Sequence, residues 1–191
     1  MISGATSGVE TRLEGIERWL DPDVDTTRAI VFDHAHFARL PAQVAVYRAA
    51  LALVAGDTAA TVEHAERALA LAEPTDHLQR GSASALVGLA EWTEGDLDAA
   101  TRHYADAIDA LTAAGHLSDV LGCSIALADM RIAQGRLSDA QRTFESGLAL
   151  AGTHDVVRGT PRHARRTEPG AARTQRPRGS ATAPRRQRAA R

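Results

Sequence analysis

The phrase that decides the fold occurs three times: LALVAGDTAATVEHAERAL at residues 51–69, LAEWTEGDLDAATRHYADAI at residues 89–108, and LADMRIAQGRLSDAQRTFESGL at residues 127–148. Each copy contains one glycine at its predicted turn. The three glycines are 39 and 40 residues apart, at Gly56, Gly95 and Gly135. A repeat of this length is typical of an α-solenoid, in which each helix–turn–helix unit buries its apolar face against its neighbours. The spacing predicts an all-α, tetratricopeptide-like solenoid of antiparallel helix pairs.

Small and apolar residues recur at fixed distances from each glycine. Positions five, nine, twelve and sixteen after it share one helix face, because steps of four, three and four follow the 3.6-residue period. The helix before each glycine has a matching stripe of its own, which includes the position three residues before the glycine. Structural repeat positions are therefore expected three residues before the glycines, at Leu53, Trp92 and Ile132, and nine residues after them, at Ala65, Tyr104 and Phe144. The glycines themselves suit a left-handed turn that ends the first helix of each pair.

The same template sets the expected domain boundaries. Counted from Gly4, it fits an amphipathic helix, so residues 1–20 are expected to hold the second helix of a truncated repeat. Residues 21–41 lack a clear period and are predicted to be a linker, in which the short apolar segment AIVFDHAHFARL at 29–40 is expected to form a turn of helix over the first unit. The tetratricopeptide-like repeats are expected over 42–160, and a disordered Arg-rich tail over 161–191, which contains no Leu, Ile, Val or Phe.

Charge divides the chain near the same point. All 22 basic residues are arginines, and the net charge is −2. Residues 1–157 carry 11 arginines against 23 acidic residues, whereas residues 158–191 carry 11 arginines against Glu168. The body is therefore near −12 and the tail near +10. Such a tail is either an arm that binds nucleic acid by neutralising phosphates or the product of a frameshift.

Four stretches of the body resemble the helical-repeat region of large LuxR-family, MalT-like transcriptional regulators. They read GIERWL, LPAQVAVYRAALALVAGDTAATVEHAERAL, DHLQRGSASALVGLAEWTEGDLDAA and GHLSDVLGCSIALADMRIAQGRLSDAQRTF. The resemblance covers roughly Gly4 to Thr160. It implies an ATP-binding domain before the repeats, a DNA-binding helix-turn-helix after them, and a role for the repeats as sensor and interaction surface.

Neither flanking module is recognisable in this sequence, so the chain is expected to be a fragment of such a regulator. A phosphate-binding loop requires a Lys after its glycines, and the chain contains none. Codons compatible with His163–Glu168 and Arg173–Arg178 read MHVGL and ERNDL when shifted by one base. Because both phrases resemble the family's next repeat, the frameshift hypothesis is favoured over an evolved basic tail.

The remaining residues indicate no catalytic, cofactor or metal site. Asp33, His34 and His36 form a short cluster, but it lacks the further converging ligands that zinc requires. His64 and His103 share one repeat position and are interpreted as solvated. Cys123 is the single cysteine and lies in an apolar helical setting, where a free cysteine behaves as a small hydrophobe. The acids around Gly95 are interpreted as a solvated turn.

The leading hypothesis is a non-enzymatic, cytoplasmic protein that binds a protein partner or a small effector on the concave repeat surface. It is expected to need no cofactor and no membrane, and to be able to self-associate through uncapped ends. The alternative is an autonomous adaptor, whose repeats bind a protein while its Arg-rich tail binds nucleic acid. Binding that depends on salt and on residues 161–191 would separate the two.

Overall fold

The computed structural model describes residues 6–21, 23, 31 and 33–154, and this part of the chain is built from α-helices. The helices are α1 (Thr6–Leu20), α2 (His34–Ala55), α3 (Thr58–Leu71), α4 (His77–Glu94), α5 (Leu97–Ala113), α6 (Leu117–Ala133) and α7 (Leu137–His154). The expected all-α helical repeat is confirmed. The predicted disordered tail at 161–191, with its two explanations, lies outside the described residues.

Three helix pairs follow one another along the chain. They are α2–α3, α4–α5 and α6–α7, and each pair packs on the next through the contacts of α3 with α4 and of α5 with α6. Helix α2 also contacts α4, and α1 packs on α2. We refer to α2, α4 and α6 as the first helices and to α3, α5 and α7 as the second helices. Each unit thus buries its apolar face against a neighbour, as in a solenoid.

The three repeated glycines adopt the left-handed backbone conformation that the sequence predicts. Their φ angles are 80° at Gly56, 92° at Gly95 and 75° at Gly135. At the first turn, the Gly56 N–H donates to the Leu53 carbonyl and the Asp57 N–H to the Ala52 carbonyl, at 3.0 and 2.9 Å. These two bonds satisfy carbonyls at the end of α2, the pattern of a glycine C-cap.

Aspartates start four of the helices. The Asp57 and Asp96 carboxylates each accept a hydrogen bond at 2.9 Å, from the Ala60 and Ala99 N–H groups at the start of α3 and α5. Asp33 and Asp76 do the same for α2 and α4. Each carboxylate satisfies an N–H that has no partner within its helix and carries negative charge where the helix dipole favours it.

The prediction that 21–41 is a linker is wrong for residues 34–41, which form the first two turns of α2. The helix starts early because Asp33 caps it, its side chain accepting from the His36 N–H at 2.9 Å. No residue of these turns is buried, and the first buried residue is Ala42. These two turns contribute only half-buried apolar residues, such as Phe37 and Leu40, so no fully buried stripe marks the start of the helix. The assignment of α1 as the second helix of a truncated repeat stays a prediction.

Helix α2 is also long and apolar enough, by length and composition, to cross a membrane. Its packing accounts for that composition in another way. Ala45 and Ala49 of α2 are buried in one core cluster with Ala65 of α3 and Val87 of α4. A charged residue, Arg48, lies between the two alanines. Ala45 and Ala49 thus serve the contact of α2 with α3 and α4, whereas Tyr47 and Val54 on the same helix are 48% and 71% exposed.

The second and third pairs share a core built around α5. One cluster joins Tyr104 of α5 to Leu127 and Met130 of α6, and another joins Leu111 of α5 to Val120 of α6. Helices α4 and α5 approach closely because Gly81 and Gly88 present no side chain to α5. A Cβ atom at Gly88 would lie 2.7 Å from the Tyr104 ring, and one at Gly81 would lie 2.7 Å from Leu111 Cγ.

Candidate interaction surface

The repeat positions chosen from the sequence have different environments along the stack. Ala65 is fully buried and Tyr104 is 6% exposed. Trp92 is half-buried and packs on the cluster that contains Tyr104. Leu53 is also half-buried. The first two units thus use these positions for packing.

Ile132 and Phe144 occupy the same register in the third unit but are 46% and 36% exposed. The expectation that they pack in the core is wrong. Their counterparts in the second unit, Trp92 and Tyr104, are covered by α6. No described helix occupies the corresponding place over α6 and α7. The register was predicted correctly, but burial depends on whether a further helix follows in the stack.

A cleft of about 380 Å³ lies between the first helices α4 and α6. Leu111 of α5 lies at its base, and its walls combine small and apolar residues with two serines and one carboxylate. The wall residues are Ser82, Ala85 and Leu86 on α4 and Ser118, Asp119, Gly122 and Cys123 on α6. The cleft is shallow and open to solvent, and its mixture of apolar surface with a few polar groups is the composition found in many ligand and peptide sites.

The chemistry of this cleft does not favour covalent catalysis. Burial and the nearby Asp119 carboxylate raise the pKa of the Cys123 thiol to about 11, so the thiol stays protonated near neutral pH. The Asp119 side chain is engaged with its own helix start. Its Oδ2 lies 2.8 Å from His116 Nδ1, and its Oδ1 accepts from the Ser118 hydroxyl at 3.2 Å.

Glu94 and Asp98, two of the exposed acids around Gly95, also have hydrogen-bond partners in the neighbouring units. The Thr58 hydroxyl donates to Glu94 Oε1 at 2.5 Å, and the Gln134 amide donates to Asp98 Oδ1 at 2.7 Å. Each bond joins one unit to the next across 36 residues. No local sequence pattern predicts this pairing, because it depends on the rotation between successive units.

The two histidines at the shared repeat position also differ. His103 Nδ1 lies 2.6 Å from Glu91 Oε2 on α4, so this histidine has a carboxylate partner rather than only solvent. His64 lies beside a cavity of about 460 Å³ between α1, α2 and α3. His34 and His36 are exposed in the first turns of α2. Across the described residues, no group of three or more His, Cys, Asp or Glu is placed to hold a metal ion.

An ion pair crosses the cavity beside His64. Arg48 Nε donates to Glu17 Oε1 at 2.9 Å and Arg48 Nη2 to Glu17 Oε2 at 2.5 Å. The hydrogen bond from Arg48, together with the charges of Arg67 and His64, lowers the pKa of the Glu17 carboxyl. This fork joins α1 to α2, and Asp21 and Arg67 also line the cavity.

The third unit carries an apolar groove on its outer side, away from α5. Leu121 and Ile125 of α6 and Phe144 and Leu148 of α7 line it, with a volume of about 250 Å³. The remaining lining residues are Ser118, Gly122, Ser124, Thr143, Gly147 and Ala151. None of these residues is charged. Leu148 is 72% exposed and Ile125 is 56% exposed. Exposed apolar surface of this kind marks an interaction site in soluble proteins.

The chain matches the family described as the MalT-like TPR region over residues 42–164. The match covers the three helix pairs, apart from the first two turns of α2, and most of the chain. A comparison with curated proteins gives no match.

Proposed function

Because the chain belongs to the family of MalT-like TPR regions, we propose that it is the non-enzymatic binding region of a LuxR-family, MalT-like transcriptional regulator. Its helical repeats would bind a protein partner or a small effector in the cytoplasm, and the ATPase and DNA-binding activities would belong to other parts of the regulator. The observation that carries this proposal is the cleft between α4 and α6, formed on the first helices of a fold that generally mediates protein interactions.

The composition of the cleft supports binding rather than chemistry. Ser82, Ser118 and Gly122 leave room for a bound chain or ligand, and Leu86 and Leu111 offer apolar contact. The nearest nucleophile, Cys123, is held as a thiol. A bound peptide or effector would gain affinity mainly by burying these apolar walls, at about 25 cal/mol per Å² of apolar area.

Photo-crosslinking in the native cell tests this function. A benzophenone amino acid at Ser82, in the cleft, is expected to capture a component of a transcriptional regulator or its effector protein. The matched control places the same group at Glu66, an exposed position on α3 away from the cleft. Equal capture from both positions, or capture from Glu66 only, would contradict a role for the first-helix surface.

The charge of the tail favours a second candidate, the adaptor that also binds nucleic acid. Residues 158–191 carry 11 arginines and one acidic residue. Binding through phosphate neutralisation falls steeply with salt. A fluorescence titration with duplex DNA at low and high salt, repeated after deletion of 161–191, tests it. Binding that survives either the deletion or high salt would dismiss this candidate.

A further inference from the structure

We propose that the cavity between α1, α2 and α3 binds a small zwitterionic ligand, of the amino-acid type, with an aliphatic side chain. The cavity has a volume of about 460 Å³, and small-molecule sites commonly have volumes of about 300–1,000 Å³. Its walls combine apolar residues with charged groups of both signs. The site is separate from the cleft between α4 and α6, so it can bind a ligand whether or not that cleft does.

Each of the three helices lines the cavity with one of its faces. Along α2 the lining residues run from Pro41 to Arg48 at steps of three, one and three residues, and along α3 from His64 to Leu71 at steps of three and four. Such steps keep side chains on one face of a helix. The last turn of α1 and the residue after it form the third wall. The side chains of three helices therefore converge on one space.

Part of this space is apolar. Val44 of α2 is buried, and Pro41, one turn before it, is half-buried. Leu20 at the end of α1 and Leu71 of α3 complete the apolar part of the lining. Leu71 is 45% exposed. An aliphatic group in the cavity would therefore remove apolar surface from water, which favours binding.

Two of the charged residues of the cavity are paired with each other. Arg48 donates to both carboxylate oxygens of Glu17, from Nε at 2.9 Å and from Nη2 at 2.5 Å. A two-point bond between a guanidinium and a carboxylate is among the strong hydrogen-bonded pairs. The fork thus commits these two charges to each other. The charged and titratable groups left for a ligand are those of Asp21, His64 and Arg67.

Arg67 and His64 provide the positive side of the site. They lie one turn apart on α3, and the charges of both help to lower the pKa of the Glu17 carboxyl, for which the hydrogen bond from Arg48 is the largest cause. Among the residues that the structure describes, no carboxylate lies within 4 Å of the Arg67 guanidinium. Because a guanidinium can bind a carboxylate through two N–H groups, Arg67 can hold the carboxylate of a ligand.

Asp21 provides the negative side of the site. It directly follows the last residue of α1, where the helix dipole also favours a positive charge. Its Oδ1 accepts from the Asp23 N–H at 2.9 Å, and within the described ranges no cationic side chain lies within 4 Å of its carboxylate. A simple anion would be attracted by Arg67 but repelled by Asp21, and a simple cation the reverse. A zwitterion complements both.

The first test compares four small molecules by isothermal titration calorimetry with the full chain. L-leucine carries both charges and an aliphatic side chain. 4-Methylpentanoate lacks the ammonium group, 3-methylbutylamine lacks the carboxylate, and glycine lacks the side chain. We expect L-leucine to bind at least about tenfold more tightly than each of the other three, because each of them loses one of the three kinds of contact.

Variants of the chain assign the contacts. Arg67→Ala should weaken both L-leucine and 4-methylpentanoate by at least about tenfold, because the carboxylate loses its partner. Asp21→Asn should weaken L-leucine to a similar degree but not 4-methylpentanoate. The matched controls are Arg102→Ala and Asp106→Asn, exposed positions on α5, which does not line the cavity, and both should leave binding unchanged. Circular dichroism checks that each variant is folded.

Four results would overturn the proposal. They are no binding of L-leucine up to about 1 mM, equal affinity for L-leucine and 4-methylpentanoate, full affinity in a folded Arg67→Ala variant, and an equal loss in the Arg102→Ala control. The first two need no variant of the chain. The crosslink from Ser82 reports on the cleft between α4 and α6, so either site can fail its test alone.

Discussion

Gly88 and Gly122 show how one residue type has opposite effects at two positions in similar helices. Gly88 lies in α4 against the Tyr104 ring, and an added Cβ would come within 2.7 Å of that ring and 3.2 Å of the Ala100 carbonyl oxygen. Gly122 lies in α6, and an added Cβ would meet nothing within 4 Å. The first glycine is required for close packing, whereas the second only weakens its helix.

Alanine substitution should therefore change stability in opposite directions. Gly88→Ala is expected to lower the free energy of unfolding by about 1–3 kcal/mol, because the α4–α5 contact would be overpacked. Gly122→Ala should raise it by about 0.5–1 kcal/mol through helix propensity. Urea denaturation of both variants measures the difference. A change of the same sign in both would mean that α4 and α5 are not packed as described.

Tyr104 gives a second prediction at the scale of the residue. Burial raises its pKa from 10.0 to about 12, and burial of Cys123 raises its pKa from 9.0 to about 11. The folded state therefore holds these protons at pH values where the unfolded chain has lost them. The free energy of unfolding should be fully retained below about pH 9 and should fall as the pH rises from about 9 to 12.

Alkaline denaturation monitored by circular dichroism measures this fall. Tyr104→Phe and Cys123→Ala should each flatten the slope, because each removes one group that titrates differently in the two states. A slope that stays the same in both variants would count against the burial of Tyr104 and Cys123 as its cause.

At the scale of the helices, the sequence predicts the turns well because their determinants are local. Gly56 and Asp57 lie side by side, and between them they end α2 and cap α3. The start of α2 was predicted less well, as only a turn of helix within a linker. Its first two turns contain no fully buried residue and precede the first repeated phrase, and the helix begins there because Asp33 caps it.

The Asp96 cap of α5 can be tested by itself. Asp96→Ala should lower the free energy of unfolding by about 1 kcal/mol, because the Ala99 N–H loses its acceptor. Asp96→Ser should keep most of the stability, since a serine hydroxyl can accept the same bond. Thermal unfolding of both variants compares them. Equal losses in the two would show that the carboxylate acts through charge rather than as a cap.

At the scale of the whole stack, equivalent positions of the repeats contribute unequally to the free energy of unfolding. Tyr104 and Phe144 share one register, but Tyr104 is 6% exposed and Phe144 is 36% exposed. Tyr104→Ala should therefore cost about 3–5 kcal/mol, whereas Phe144→Ala should cost less than about 1 kcal/mol. Denaturant titration of both variants gives the comparison. Similar losses would mean that Phe144 is covered in solution.

The contrast between Tyr104 and Phe144 shows which features the sequence predicts and which depend on contacts between units. The period identified the fold, the turns and the faces of the helices, because each is set within one unit. The candidate surfaces could not be derived in this way. The cleft beside Ser82 depends on the separation of α4 from α6, and the apolar groove depends on the neighbours of α7. The bonds of Thr58 with Glu94 and of Gln134 with Asp98 depend on the rotation between units.

The close approach of α4 and α5 at Gly81 and Gly88 also has a consequence for the order in which the molecule opens. This pair has neighbours on both sides, α3 before it and α6 after it, whereas α1 packs mainly on α2. In a stack whose units touch only their neighbours, opening begins at the ends. Amide protons should therefore exchange with solvent fastest in α1 and α7 and slowest in the facing turns of α4 and α5, so that the centre of the chain is the last part to unfold.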